Sequence, residues 1–476
     1  MTKSYTRRGA IKTGAAVSAF AGVTFLTSKK TLAQREQKLI YWHLPNFTPL
    51  ADDIMRDQFE EFRKMAGLSE SEAAFVPTAG QDFIPRLSAA LETDTPPDVV
   101  RLYESYVQLY RSQGHMMDVT DIVTKMQGEQ GGVFESSLIA AGFDGKFWGV
   151  PYAINPWPMH VRMDVLEENS VEYPKTWDEF VETCLKIQKP PFYGFGMDLG
   201  LTADATDNIM QVCWCFGGKT FNADGTPAFD NQGNIDGFTF INEMYNTHKI
   251  IPRGVVGNGD TAWNNKAYQS GQVAFINNPT SVYAYLSGED PELMEKTGLF
   301  GVPAGPAGAV NQIDTWSLGL FNQTPYPELS RGFAEYVMAP ERYNQIITNT
   351  NGRFVPVYPD LFNDEWWTSR PQFNQFIEIA KSGVPVSYEA PPSPASGEML
   401  AIHVIPEALQ TVLVDGVEPV VDRGDPGMSV GHGLGRVHTI DQHRLQRFRN
   451  HVDRQHFTGR RRRRCFVAHR HATLGD

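Results

Sequence analysis

Lys38-Leu39-Ile40-Tyr41-Trp42-His43 opens the stretch that sets the architecture, which closes at Asp98-Val99-Val100-Arg101-Leu102. Leu39 to Trp42 is a short apolar run of strand length. After it Met55, Phe59, Phe62 and Ala66 recur at spacings of four, three and four, the repeat of a helix that buries one face. Ala73 to Val76 predicts a second strand, and Ile84, Leu87 and Leu91 a second helical face. Thr95-Pro96-Pro97 stops that helix before the third strand. The order strand, helix, strand, helix, strand is that of a parallel sheet with covering helices, an α/β lobe. Ligands of such sheets gather beyond the carboxyl ends of the strands. That rule marks Trp42-His43, Asp82 in the turn after the second strand, and Tyr103-Glu104.

A chain of 476 residues, 41% of them hydrophobic, exceeds the size at which a single core stops growing, so a second lobe is expected. It begins beyond Gly149, where Thr176-Trp177-Asp178-Glu179 has the form of a capping box opening a helix with Phe180, Cys184 and Ile187 roughly on one side. Residues 220–234 are rich in Gly, Asn and Asp and predict turns. Further helices are expected at 235–248, 328–338 and 341–349. Pro385 to Ser396 holds four prolines and predicts an extended stretch.

The formal charge of −13 divides unevenly: residues 1–33 carry +6, residues 34–422 carry −27 and residues 423–476 carry +8. An acidic middle repels phosphate backbones and anionic lipid, which argues against a nucleic-acid partner. At the start, Thr6-Arg7-Arg8-Gly9-Ala10-Ile11-Lys12 has the form of a twin-arginine export signal. Gly14 to Thr27 is too short to span a bilayer and suits the apolar region of a leader. Thr31-Leu32-Ala33 places cleavage after Ala33, so export to the periplasm is expected, with an uncut anchor as the alternative. Residues 423–476 hold 12 Arg, no Lys or Glu, and seven of the twelve His. Such a basic segment without apolar periodicity is expected to be a non-native tail outside the fold; the alternative is a nucleic-acid or membrane contact through Arg460 to Arg464. Cys184, Cys213, Cys215 and Cys465 are too few and too poorly spaced for a disulfide framework or a metal clip, and buried free thiols are expected.

Several stretches resemble the family 1 extracellular solute-binding proteins of ABC importers, the group that includes maltose-binding protein. Gly80-Gln81-Asp82, Arg86-Leu87 and Thr95-Pro96-Pro97-Asp98-Val99-Val100 follow the first-lobe pattern. Asp144-Gly145-Lys146-Phe147-Trp148-Gly149-Val150-Pro151, Met163-Asp164-Val165-Leu166 and Pro174-Lys175-Thr176-Trp177-Asp178-Glu179-Phe180 follow the lobe-crossing segment. Ser270-Gly271-Gln272-Val273-Ala274-Phe275, Asp314-Thr315-Trp316-Ser317-Leu318 and Asn351-Gly352-Arg353-Phe354-Val355-Pro356 match a later strand and the two further crossings. His160-Val161-Arg162 and Val357 depart from the pattern. The resemblance implies an α/β, two-lobed periplasmic-binding-protein fold with crossing hinge strands and a cleft between the lobes. Its first lobe would comprise 36–153 plus 317–350 and its second 154–316 plus 351–422. It also implies a monomeric receptor for a small carbohydrate or polyol, with no cofactor and no metal, that serves the membrane permease of an ABC importer.

Sugars present apolar CH faces and a rim of hydroxyls, so their receptors need aromatic surfaces beside planar donors and acceptors. Trp42, His43, Asp82, Tyr103, Glu104, Trp263, Asn277, Asn278, Trp316 and Arg353 are the candidate ligand-binding residues. Trp42 and Trp316 could instead pack a hinge, Asp82 could cap its helix, and His43 could be satisfied within a loop. An exported carbohydrate hydrolase is the alternative function, since it would need two carboxylates across a cleft. His-Glu-x-x-His is absent from the sequence, and no catalytic residue is assigned.

Overall fold

The computed structural model describes residues 37–419 apart from Phe47, Ala79 and Thr261, and the side chains of residues 80–82 are likewise not described. The leader over 1–33, cleavage after Ala33, the tail over 423–476, Cys465 and the side chain of Asp82 therefore lie outside the described residues. Eleven strands are named in chain order: β1 (Leu39–His43), β2 (Ala73–Pro77), β3 (Val99–Tyr103), β4 (Gly142–Phe143), β5 (Lys146–Phe147), β6 (Val150–Pro156), β7 (Met159–Arg162), β8 (Tyr193–Phe195), β9 (Val273–Asn277), β10 (Thr297–Phe300) and β11 (Ile313–Leu320).

The first sheet runs β2-β1-β3-β11-β6 and the second β10-β7-β9-β8. In the first, β1 pairs in parallel with both β2 and β3, which is the predicted strand-helix-strand-helix-strand unit. Its helices are Pro49–Met65 and Gly80–Glu92. Met55, Phe59 and Phe62 of the first are buried, while Ala66 lies just past the helix end as its C-cap. Asp82 falls in the first turn of the second helix, not in a preceding turn, because the helix already begins at Gly80.

Three chain crossings join the sheets. Chain leaves the first sheet along β6 and enters the second at β7. It returns along β11, which lies antiparallel between β3 and β6. A third strand-like segment bonds β6 at Ile154 and Val355, whose N–H and C=O groups exchange hydrogen bonds at 2.9 Å in both directions. The first crossing is prepared by local chemistry: Asp144 and Gly145, both at positive φ, make the two-residue turn between β4 and β5. Gly149 then lies so close to β11 that a Cβ there would sit 2.7 Å from Ser317 Cβ. The pairing of β11 with β6 shifts register between Trp316 and Ser317: Trp316 stands opposite Ala153 and Ser317 opposite Pro151, so Tyr152 of β6 is the extra residue of a bulge.

The helix Trp177–Ile187 starts where expected, with the Thr176 hydroxyl accepting from Glu179 N–H. The return bond from the Glu179 carboxylate reaches Lys175 N–H at 2.7 Å, one residue earlier than a capping box requires. Helices also form at Gln232–Asn242, Pro327–Met338 and Pro340–Asn349. The proline-rich stretch ends sooner than expected, since Pro394 starts a helix capped by Ser393.

Leu361, Trp367, Phe373, Phe376 and Ile379 join the apolar cluster of β1 and β6, and Tyr283 meets Phe373 edge-on at 5.5 Å. The following helices, Pro394–Ile402 and Val404–Asp415, pack on Glu104–Ser112 and Ala203–Cys215 respectively, so they clamp the two sheets' helices from outside. No single helix among the described residues is long and apolar enough to cross a membrane. Cys184, Cys213 and Cys215 are free and buried, as expected.

Candidate functional site

A cavity of about 830 Å³ opens between the two sheets, within the usual range for small-molecule sites. From the first sheet it is bordered by the chain after β1, by the helix Gly80–Glu92 and by the junction of β3 with the helix Glu104–Ser112. From the second side come the start of the helix Ala203–Cys215, residues 278–281 and the end of the helix Pro394–Ile402. β11 and Arg353 supply its hinge wall.

Tyr103, Glu104, Asn278, Trp316 and Arg353 of the predicted set all border this cavity. Register explains the meeting of the first and fourth: Trp316 on β11 stands opposite Tyr103 on β3. Their rings lie 3.7 Å apart between centroids. The Arg101 guanidinium sits 4.5 Å from the Trp316 ring centroid. Asn278 is 1% exposed. Its amide donates to Asn264 and Asn265, and its Oδ1 has no partner. Arg353 donates to Asn155 Oδ1 at 3.0 Å.

The remaining candidates sit elsewhere. His43 is buried inside its own layer, bonded to Asp52 at 2.7 Å and stacked on Phe75 at 4.8 Å. Burial holds its pKa below the usual histidine value. Trp42 lies beneath the Arg86 guanidinium at 5.2 Å. Asn277 donates to the Trp157 carbonyl at 3.0 Å, and Trp263 packs against buried apolar residues of the second sheet. None of these four borders the cavity.

Sequence reasoning missed the acidic floor. Asp204, Asp207 and Asp314 line the cavity together with Glu104. Glu104, 2% exposed, accepts from Thr315 N–H at 2.9 Å and from its hydroxyl at 3.3 Å. Asp314 accepts from Trp157 Nε1 at 2.8 Å, Asn155 Nδ2 at 3.2 Å and Gln312 Nε2 at 3.4 Å. Burial and the neighbouring Asp314 push the Glu104 carboxyl up to about 8, and burial lifts Asp314 to about 6. Asp207 and Asp204 are raised as well, by burial and then chiefly by Asp314 and Asp198 respectively. Asp204 is only half-buried, so water entering the cleft tempers its rise. Arg353 is lowered to about 9 by burial and by Arg101. Among the described residues no group of three or more His, Cys, Asp or Glu is arranged to hold a metal ion.

The signal for these residues was present. Arg101 interrupts Val99-Val100 and Leu102 in a buried strand, and Asp314 stands inside Ile313–Leu320, both unusual places for a charge. Asp204 and Asp207 are three residues apart and share a helix face.

Comparison with known proteins agrees with the architecture. A Brucella abortus protein named as a binding protein is 23% identical over 298 residues, covering 61% of this chain and 68% of that one. The solute-binding protein of Thermotoga lettingae bound with alpha-D-tagatose superposes with a TM-score of 0.72 at 16% identity, covering 87% of this chain and 99% of the other. The corresponding values for an Agrobacterium radiobacter solute-binding protein in complex with ribitol are 0.70, 18%, 80% and 95%. For maltose-bound MalE3 of T. maritima they are 0.70, 17%, 80% and 95%. The fold is thus the two-lobed one of periplasmic binding proteins, with the cavity in the interlobe position. Residues 57–375 match the family model described as bacterial extracellular solute-binding protein, and the chain belongs to that family.

Proposed function

We propose that this protein is an extracytoplasmic receptor that captures a sugar or related polyol between its two lobes and delivers it to the permease of an ABC importer. The observation that carries the reading is the interlobe cavity itself. It pairs aromatic surface from Tyr103, Trp316, Phe83 and Tyr106 with hydrogen-bonding groups contributed from both sides. Apolar CH faces suit the rings, and hydroxyls suit the carboxylates and amides. The structural neighbours bound to tagatose, ribitol and maltose support the same ligand class.

Closing the lobes about the three crossings would bring Asn278 and Asp204 against a ligand resting on Tyr103 and Trp316, and the permease would read the closed form. Export by the twin-arginine-type leader, cleavage after Ala33 and a monomeric state complete the proposal. The receptor binds without turnover, unlike a hydrolase. A thermal-shift panel of monosaccharides, disaccharides and polyols tests it, since ligand at ~100 times its Kd stabilises by about 2.7 kcal/mol. A response to peptides or amino acids alone, or release of sugar from a chromogenic glycoside, would overturn it.

A further inference from the structure

We infer that the helix Pro394–Ile402 is a latch across the interlobe cleft: chain anchored to the second lobe reaches over to grip a helix of the first, and His403 is the joint at which the latch turns when the lobes part. The inference rests on the two-lobed fold and extends the receptor reading to what limits opening of the cleft.

The path of the chain is its first support. Before the latch, Tyr388 and Glu389 are fastened to the second lobe just past the helix Ala203–Cys215. Thr220 and Phe221 N–H donate to the Tyr388 carbonyl at 2.6 and 3.1 Å, and Glu389 N–H donates to the Phe221 carbonyl at 2.9 Å. After the latch, the helix Val404–Asp415 returns to that lobe. There Gln410 Nε2 donates to the Leu199 carbonyl at 3.3 Å, and Asn246 Nδ2 donates to the Leu413 carbonyl at 3.0 Å. Between these anchors Pro394–Ile402 lies on Glu104–Ser112 of the first lobe. Ser396 and Ser105, both buried, share a hydroxyl hydrogen bond at 2.8 Å. Gly397 comes so close that a Cβ there would sit 2.7 Å from the Ser105 carbonyl oxygen and 3.0 Å from Leu109 Cβ, an approach that suits glycine alone. Met399 and Leu400 complete the grip in one apolar cluster with Tyr106 and Leu109.

The joint is the second, independent support. His403 by itself links the two helices: its N–H donates to the Leu400 carbonyl at 3.4 Å, and its own carbonyl accepts from Glu407 N–H at 3.2 Å. Its backbone lies at φ 50° and ψ 37°, the left-handed region that a residue with a Cβ adopts uncommonly. The helices turn by 44° there. One residue advances the chain by only ~3.8 Å between Cα atoms, so the pair has no slack. Parting the lobes must turn the chain at His403 or strip Pro394–Ile402 from Glu104–Ser112. Leu400, Ala401 and His403 border the interlobe cavity, so a bound ligand touches the latch beside its joint.

Spin labels at Ala89→Cys, on the helix Gly80–Glu92, and at Leu185→Cys, on the helix Trp177–Ile187, test this. Both positions are exposed, and in a Cys465→Ser background pulsed dipolar spectroscopy then reads the separation of the lobes in the ligand-free protein. Two variants free the latch without replacing a residue that borders the cavity. Gly397→Ala pushes the latch off the Ser105 carbonyl, and three glycines inserted after His403 add up to ~10 Å of reach. In both, the distribution of separations should broaden and its mean lengthen by at least ~3 Å. Ser396→Ala, which removes only the shared hydroxyl, stands in for either variant that fails to fold and should broaden the distribution in the same sense. Wild-type separations in the folded variants would overturn the latch, because the three crossings alone would then set the opening. No ligand enters the measurement, so that result leaves the receptor reading standing, whereas a carbohydrate panel without response would overturn that reading and not the latch.

Discussion

Replacing Glu104 with Gln should make the free protein more stable at pH 8 and leave its stability at pH 5 nearly unchanged. Glu104 is buried beside Asp314, and its carboxyl is raised from 4.5 to about 8 by burial and then by that neighbour. A raised carboxyl binds its proton more tightly in the native state than in the unfolded chain. Its contribution to stability is therefore fully present below pH ~4.5 and is lost as pH rises toward 8. At about 1.36 kcal/mol per pKa unit the ceiling is about 5 kcal/mol. Water reaching the cleft and the linked titration of Asp314 reduce the expected effect to about 1–3 kcal/mol. Gln keeps the oxygen that accepts from Thr315 N–H and Oγ1, so the hydrogen bonding survives while the charge does not. Urea unfolding of both proteins at pH 5 and pH 8 measures the difference. A Glu104→Gln protein less stable than wild type at pH 8 would refute the reasoning, because it would mean that the ionised carboxylate stabilises the fold.

Trp316→Ala should weaken ligand binding and also cost about 3–5 kcal/mol of stability, since the ring is 2% exposed and packed against Tyr103 and Arg101; unchanged urea unfolding would show that the ring carries no structural load. Gly149→Ala should destabilise by about 1–3 kcal/mol through overpacking against Ser317, and an unaltered melting transition would count against the close approach of β11. Cys184, Cys213 and Cys215 should resist a thiol reagent until the protein unfolds, because all three are buried and their thiols are raised by burial. Truncation after Asp422 should leave melting temperature and affinity unchanged, and loss of either would make the basic tail part of the working receptor.

The first sheet was legible because its signals are local. Strand-length apolar runs alternate with helical stripes such as Met55, Phe59 and Phe62, and Thr95-Pro96-Pro97 punctuates them. The crossings were legible by resemblance. The site was half legible. Tyr103 and Glu104 fall at a strand end, where a rule about sheets applies, and Trp316 falls on a crossing strand marked by the resemblance. His43 also falls at a strand end, yet Asp52 draws its ring inward, and no spacing rule foretells that partner. Asp204 and Asp207 lie about a hundred residues from Glu104 and meet it only through the packing of two lobes. Such long-range meetings leave no periodicity in the chain.

The most direct test of the central claim is a calorimetric titration of the wild-type protein with the strongest ligand from the carbohydrate and polyol panel, repeated with the Asp207→Asn and Asn278→Ala variants. The account predicts one site per chain, a negative heat-capacity change from cleft closure, no turnover of the ligand, and a loss of affinity of at least ~10-fold, about 1.4 kcal/mol, in each variant. Wild-type affinity in both variants would place the binding site outside the interlobe cavity and contradict the account.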